Sequence, residues 1–327
     1  MPGTRLTIPA PADFSLARDV CSYGYFLLAP NHWDVETQSL FRVLHLRDGP
    51  TTARITQPAP SARPPAPRRA SLLARFDRAL SKAEQAQARA QITRMLRLDE
   101  PEGHLAEFHQ LDPRFAAAGR GRLFRSPTLF EDVVKTVTSC NVTWPSTVHM
   151  NERLCAVLGG RSPSGGHAFP TPARLARTRP GTLRARCRVG YRDQRLVDLA
   201  RLFAKGHIDE TRLADPATPD DEVFAFLKTL PGIGPYAAGN IMQLLGRYSR
   251  LALDSESVRH GKAVLGYTGT DREILRRLEL HYAPFGAHRF RSYWFELWDF
   301  YESKAGPAHT WERETTGKTF TAALLKS

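Results

Sequence analysis

The chain has 327 residues, 42% hydrophobic and 24% charged, the composition of a folded globular protein, which excludes wholesale disorder. Lys and Arg number 46 against 33 Asp and Glu, a formal net charge of +13, so a polyanion such as nucleic acid is the first partner to consider. No apolar run reaches the ~18–20 residues of a membrane span, and Met1–Arg5 leads into no apolar stretch, so neither a membrane partner nor secretion is expected. Of the basic residues 38 are Arg and 8 are Lys, a bias that GC-rich codons also favour, although codon usage does not by itself depress the acids. Cys21, Cys140, Cys155 and Cys187 are scattered and form no C-x-x-C pair, which argues against a disulfide scaffold or zinc ribbon and fits a reducing cytosol.

In chain order, residues 14–56 read as an antiparallel meander. Phe14 and Leu16 alternate with Ser15 and Ala17, Tyr23–Leu28 is aromatic and apolar, and Phe41–Leu46 alternates again. Asn31-His32 and Asp48-Gly49-Pro50 separate these runs. Residues 57–69 are proline-rich with no packable face and read as an extended loop. From residue 70 the period turns helical. Leu72, Leu73, Phe76 and Leu80 fit i, i+3/i+4 spacing, and Ala88, Ile92, Met95 and Leu96 repeat it. Further helices are expected over 128–138, 150–158, 196–204, 223–230, 237–245, 255–265, 272–281 and 291–301, with an irregular tail from about 309. The expected fold class is α+β, mainly α. A small N-terminal antiparallel sheet (1–70) precedes a helical body (71–308) of two subdomains with a cleft between them, then a tail (309–327).

The most specific segment is Leu230-Pro231-Gly232-Ile233-Gly234-Pro235-Tyr236-Ala237-Ala238. A helix ends at Leu230, the glycines allow a tight turn close to another surface, and Pro235 sits at a new helix start, where its missing N–H costs nothing. Open N–H groups there can hold a phosphate without reading sequence. Asp254 follows 20 residues after Gly234, heading Ser255-Glu256-Ser257-Val258-Arg259-His260. By itself it reads as a helix N-cap.

This hairpin, with an Asp at this distance, resembles the helix-hairpin-helix (HhH-GPD) DNA glycosylase superfamily. Ser126–Glu131, Phe169-Pro170-Thr171-Pro172 and Val189-Gly190-Tyr191-Arg192 are similar to segments of its 3-methyladenine and 8-oxoguanine branches, in matching order over roughly 14–303. The resemblance implies base flipping and cleavage of an N-glycosidic bond, with Asp254 as the catalytic carboxylate and Glu256 a weaker candidate at the same helix start. It implies Asn141 as the wedge that enters the vacated space in DNA. It also implies phosphate contacts at Gly232 and Gly234, with a monovalent cation bridging the hairpin carbonyls and no other metal.

Departures narrow the chemistry. Where bifunctional members carry a Schiff-base lysine this chain has Tyr236, so the resemblance implies a monofunctional hydrolase that leaves an abasic site. Lys228 and Lys262, nearby in sequence, read as solvated helix lysines. The last cysteine is Cys187, so neither an iron–sulfur cluster nor any other cofactor is expected. Asn240 stands where 8-oxoguanine enzymes have a Cys. Trp144, Tyr191, Tyr236, Asn240 and Trp294 are the pocket candidates; Trp298, also an aromatic candidate, lies four residues from Trp294 on the same helical face, so one of the two is expected to pack. Between 174 and 201 nine Arg face two acids, and Arg184, Arg186, Arg188 and Arg192 are the expected phosphate contacts. The expected partner is duplex DNA with a damaged or modified base, bound by a monomer, in the cytoplasm at the nucleoid of a bacterium or in a eukaryotic nucleus. Two alternatives stand beside this: a glycosylase for a modified cytosine, including bulky phage-type bases, in defence or demethylation, and a non-catalytic DNA-binding protein.

Overall fold

The computed structural model describes residues 3–58 and 70–321. Five strands, β1 (Arg5–Ala10), β2 (Asn31–Asp34), β3 (Ser39–Leu46), β4 (Gly49–Thr56) and β5 (Ala70–Phe76), form one antiparallel sheet in the order β1-β5-β4-β3-β2. Alternation decides which face is buried. Leu6, Ile8 and Ala10 of β1 and Leu72, Ala74 and Phe76 of β5 point into the core, while Arg5, Thr7 and Arg75 point to the other side.

The sheet differs from the expected meander in four places. The stretch at Phe14 and Leu16 leads into a short helix, α1 (Leu16–Val20), and Tyr23–Leu28 holds a 3₁₀ turn (Gly24–Leu27). Residues 70–76 are a strand, not a helix. Leu72 and Phe76, four residues apart, satisfy both periods, and hydrogen bonding to β1 and β4 decides the outcome, which leaves Leu73 on the other face. β1 itself lies upstream of the segment read as sheet. Of the proline-rich loop 57–69, residues 59–69 lie outside the described residues.

The helices are α2 (Lys82–Met95), α3 (His104–Leu111), α4 (Leu129–Ser139), α5 (Trp144–Leu158), α6 (Pro172–Ala176), α7 (Pro180–Thr182), α8 (Asp193–Ala204), α9 (Glu210–Ala214), α10 (Asp220–Leu227), α11 (Pro235–Leu245), α12 (Ser255–Ala263), α13 (Asp271–Tyr282), α14 (Arg289–Ala305) and α15 (Thr316–Thr319), of which α3, α6, α7, α9 and α15 add to those expected from the sequence. Among the described residues no helix is long and apolar enough to cross a membrane.

Buried apolar side chains gather into two main clusters. One joins the inner face of the sheet to α2 and to α12–α14. The other sits among α4, α5, α8, α10 and α11. The tail is not irregular throughout: it contains α15, and Trp311 and Phe320 are buried in the first cluster beside Trp298. The sheet is tied to α4 by a buried ionic group. Arg42 donates to both Glu131 oxygens, at 2.8 and 2.5 Å, and Lys135 Nζ lies 2.7 Å from the same carboxylate. Burial alone would raise the Glu131 pKa, but the two cations outweigh it and hold it down at about 2.

Candidate active site

The hairpin joins α10 to α11. Gly232 has φ +80, a left-handed conformation that L side chains rarely adopt, and the space beside it is filled by Arg195. Gly234 is the N-cap of α11 and offers no side chain to its open N–H groups; a Cβ there would meet no atom within 4 Å. Pro235 takes the first helical position. The turn therefore presents bare backbone to solvent at the positive end of an eleven-residue helix.

Gly239, one turn further on, sets where Asp254 lies. A Cβ there would come 2.8 Å from the Leu251 carbonyl oxygen and 3.2 Å from Ala252 Cα. Without one, α11 packs directly against the segment that delivers the chain to Asp254. Asp254 is the N-cap of α12. Its Oδ1 accepts from the Glu256 N–H at 2.9 Å, the Ser257 N–H at 3.1 Å and the Ser257 hydroxyl at 3.3 Å. The Ser257 hydroxyl lies 2.7 Å from the Tyr293 hydroxyl. No donor among the described residues hydrogen-bonds Oδ2 within 3.5 Å, and the Tyr236 hydroxyl is the side chain that approaches the carboxylate from the cavity. Burial pushes the Asp254 pKa up, while the capping N–H groups, Ser257 and Tyr236 pull it part of the way back.

The carboxylate lines a cavity of about 170 Å³ walled by the first cluster and by a smaller one that includes Ala252 and Phe290. Nine of its eighteen lining residues are aromatic, among them Tyr23, Trp144, Tyr236, Tyr293, Trp294 and Phe320. Asp254 and Glu256 supply two carboxylates, and no Lys, Arg or His lines the cavity among the described residues. Glu256 is mostly buried. Its Oε1 accepts from the Tyr301 hydroxyl at 2.5 Å and its Oε2 from Arg259 at 3.1 Å, and burial raises its pKa. Asn240 is buried, its Oδ1 taking the Tyr23 hydroxyl at 3.1 Å. The indole N–H of Trp294 donates to the Ser22 carbonyl, and that of Trp144 to the Gly317 carbonyl, each at 2.8 Å.

Trp144, Tyr236, Asn240, Trp294 and Asp254 thus meet as expected from the sequence. Tyr191 does not join them. It is 53% exposed, outside the cavity, with the Arg192 and Arg195 guanidinium carbons 4.4 and 5.2 Å from its ring centre. Arg192 also leaves its expected role as a phosphate contact. It is buried, with Nε donating to the Val137 carbonyl at 3.1 Å and another nitrogen to that of Cys140. Its work is to brace the end of α4, from which the loop bearing Asn141 departs. Asn141 is exposed at φ +53, a conformation Asn tolerates, and Val142 beside it is 37% exposed. Arg184, Arg186 and Arg188 are exposed, and Arg184 is held by Asp193 at 2.8 Å. Tyr23, Tyr293, Tyr301 and Phe320 went unnoticed in the sequence, where nothing separates an aromatic wall from an aromatic core.

Among solved structures, the chain is similar to MBOgg1 in complex with a low-affinity DNA ligand, at 17% identity and TM-score 0.65, over 92% of this chain and 97% of that one. It is also similar to apo Clostridium acetobutylicum 8-oxoguanine glycosylase/lyase, at 15% identity and TM-score 0.64, over 91% and 100% of the two chains. The 3-methyladenine DNA-glycosylase from Archaeoglobus fulgidus superposes at 16% identity and TM-score 0.59, over 92% and 99%. The chain has the helix-hairpin-helix glycosylase fold. No protein-family model and no curated protein matches its sequence. In this fold the hairpin, the Asp254 cap and the aromatic cavity lie together, and the N-terminal sheet is included in the similarity.

Proposed function

We propose that the protein is a monofunctional DNA glycosylase that extrudes one base from duplex DNA and hydrolyses its N-glycosidic bond with water. The observation that carries this reading is the Asp254 carboxylate. One oxygen is locked by a helix N-terminus and the other takes no hydrogen bond among the described residues, at the wall of an aromatic cavity. Cleavage of an N-glycosidic bond leaves positive charge on the sugar, and a fixed ionised carboxylate beside it lowers the barrier without reorganising. The same group can orient the attacking water. Hairpin N–H groups and Arg186 and Arg188 would hold phosphates, while Asn141 would fill the gap in the stack.

Cavity chemistry favours an electron-poor, positively charged base, such as an alkylated purine. Aromatic faces attract cations, Asp254 adds a negative charge with no ion-pair partner among the described residues, Glu256 is offset by Arg259 at 3.1 Å, and no Lys, Arg or His lines the cavity among the described residues. An imine-forming amine is missing from the described lining residues. Lys228 lies over the Phe224 ring, Lys262 pairs with Asp271 at 3.1 Å, and Lys135 is engaged by Glu131. The product is therefore an intact abasic site: borohydride should trap no protein–DNA adduct, and a trapped adduct would reject the monofunctional reading. The central test is single-turnover excision from a panel of single-lesion duplexes by the wild type and Asp254→Asn. A wild type that binds DNA but excises none of the lesions would favour the non-catalytic alternative.

A further inference from the structure

The outer face of the N-terminal sheet carries a feature that the glycosylase reading leaves unused. Strand register places Arg5 of β1 opposite Arg75 of β5, Arg75 opposite Arg54 of β4, Arg54 opposite Phe41 of β3 and Phe41 opposite His32 of β2. One transverse row therefore reads Arg, Arg, Arg, Phe, His across all five strands. Neighbouring strands lie ~4.8 Å apart, so the arginines follow one another at about that spacing. Arg5, Arg75 and His32 are exposed, and Arg54 and Phe41 are half-buried. The Arg54 guanidinium carbon lies 5.4 Å from the Phe41 ring centre, and the Phe41 and His32 rings are 6.1 Å apart.

Like charges directly opposite on adjacent strands destabilise a sheet, and here two such pairs share Arg75. Among the described residues none of the three arginines forms an ion pair. Asp34, in the far corner on β2, is the one carboxylate at an outward strand position, and its Oδ1 takes the Thr37 N–H at 2.9 Å. The row ends at a groove of about 420 Å³ between the β2–β3 edge, α5 and residues 164–167. His32, Phe41, His167 and Arg313 line it, together with Glu152, whose carboxylate lies 4.0 Å from Arg313.

We propose that this face binds a single strand of nucleic acid, its phosphates on Arg5, Arg75 and Arg54 and a base against Phe41 and His32 at the groove mouth. Unpaired cations call for a polyanion. Aromatic rings in register beyond them favour a strand whose bases are unpaired, because a duplex hides its base faces. The surface lies outside the Asp254 cavity and takes no part in the excision chemistry, so it stands or falls separately from the proposed activity.

The test uses the full chain carrying Arg5→Gln, Arg54→Gln and Arg75→Gln together, with labelled oligothymidylate as the probe. Three lost phosphate contacts should make the plot of log affinity against log salt shallower by ~2 and lower affinity about tenfold or more at low salt. The triple Arg→Lys variant keeps the charge and should keep the slope. Arg75→Gln alone should show about a third of the change in slope, which preserves the test if the triple variant does not fold. Single-turnover excision from a short duplex at saturating enzyme should stay unchanged. A slope equal to that of the wild type would overturn the proposal. So would an equal loss of binding to polyglutamate, which would mark the face as a general polyanion surface.

Discussion

At Asp254 stability and function pull in opposite directions. Its carboxylate is desolvated and its pKa is raised above the unfolded value. The folded state then binds the proton more tightly than the unfolded chain does. Keeping the group ionised costs stability at pH above the folded pKa, and that cost fades as pH falls through it toward the ordinary value of about 3.9. Asn at this position keeps an acceptor for the Glu256 and Ser257 N–H groups but carries no charge. Asp254→Asn should therefore match or exceed the wild-type Tm at pH 7, with any gain shrinking in acid, while losing about two to three orders of magnitude in excision. The wild-type rate should fall on acidification at a pH above that of an ordinary Asp, because protonation removes the charge that stabilises the sugar cation. A Tm well below wild type at neutral pH would show that the carboxylate is a structural cap first. The capping role was legible from Asp254 and the residues after it. Its locked oxygen was not, since that depends on Ser257 and, through it, on Tyr293 of a distant helix.

Single elements carry the next level of argument. α11 exposes its first-turn N–H groups because Gly234 caps nothing, so Gly234→Val, which places bulk where a phosphate would approach, should weaken binding to every duplex about equally. Loss confined to one lesion would instead place the hairpin against the base. α4 is anchored differently. Glu131→Gln leaves Arg42 and Lys135 buried without their counter-charge, a defect worth about 3–5 kcal/mol. Denaturant unfolding should show it at pH 7, and the penalty should shrink progressively as pH falls below the ordinary Glu value of about 4.3 toward the native Glu131 pKa of about 2. A loss below about 1 kcal/mol would mean that water reaches the pair. Elements of this kind were readable where one period was unambiguous, as over 128–138 and 237–245. They were misread at β5, where Leu72 and Phe76 fit two periods and the deciding partners lie in β1 and β4. The Arg192 brace shows the same limit. A Gly-Tyr-Arg string names the side chain, but whether it meets DNA or carbonyls of its own chain depends on where α4 ends.

Across the whole molecule, the cavity draws its walls from distant parts of the chain that meet in the first cluster and in the smaller one around Phe290. Tyr23 comes from the N-terminal region, Tyr236 from the hairpin helix, Trp294 from α14 and Phe320 from the tail. Composition and order could announce the parts, but not that Phe320 of the tail packs within reach of Gly24 in the same wall. The tail supplies the sharpest test of this arrangement. Phe320 packs against Trp144, Trp298, Tyr301 and Trp311, with ring centres 4.8–5.6 Å away, and it is 2% exposed. Trp311 shares that packing but does not line the cavity. Phe320→Ala and Trp311→Ala should each cost about 3–5 kcal/mol of stability, as large buried aromatics do. Only Phe320→Ala should also widen the base-binding space and relax discrimination among lesions, measured as single-turnover rates at a temperature where both variants remain folded. If both variants change selectivity equally, the tail acts on the site through stability alone. If neither does, the base does not reach the wall that Phe320 forms, and the occupied part of the cavity lies nearer Asn240 and Tyr23.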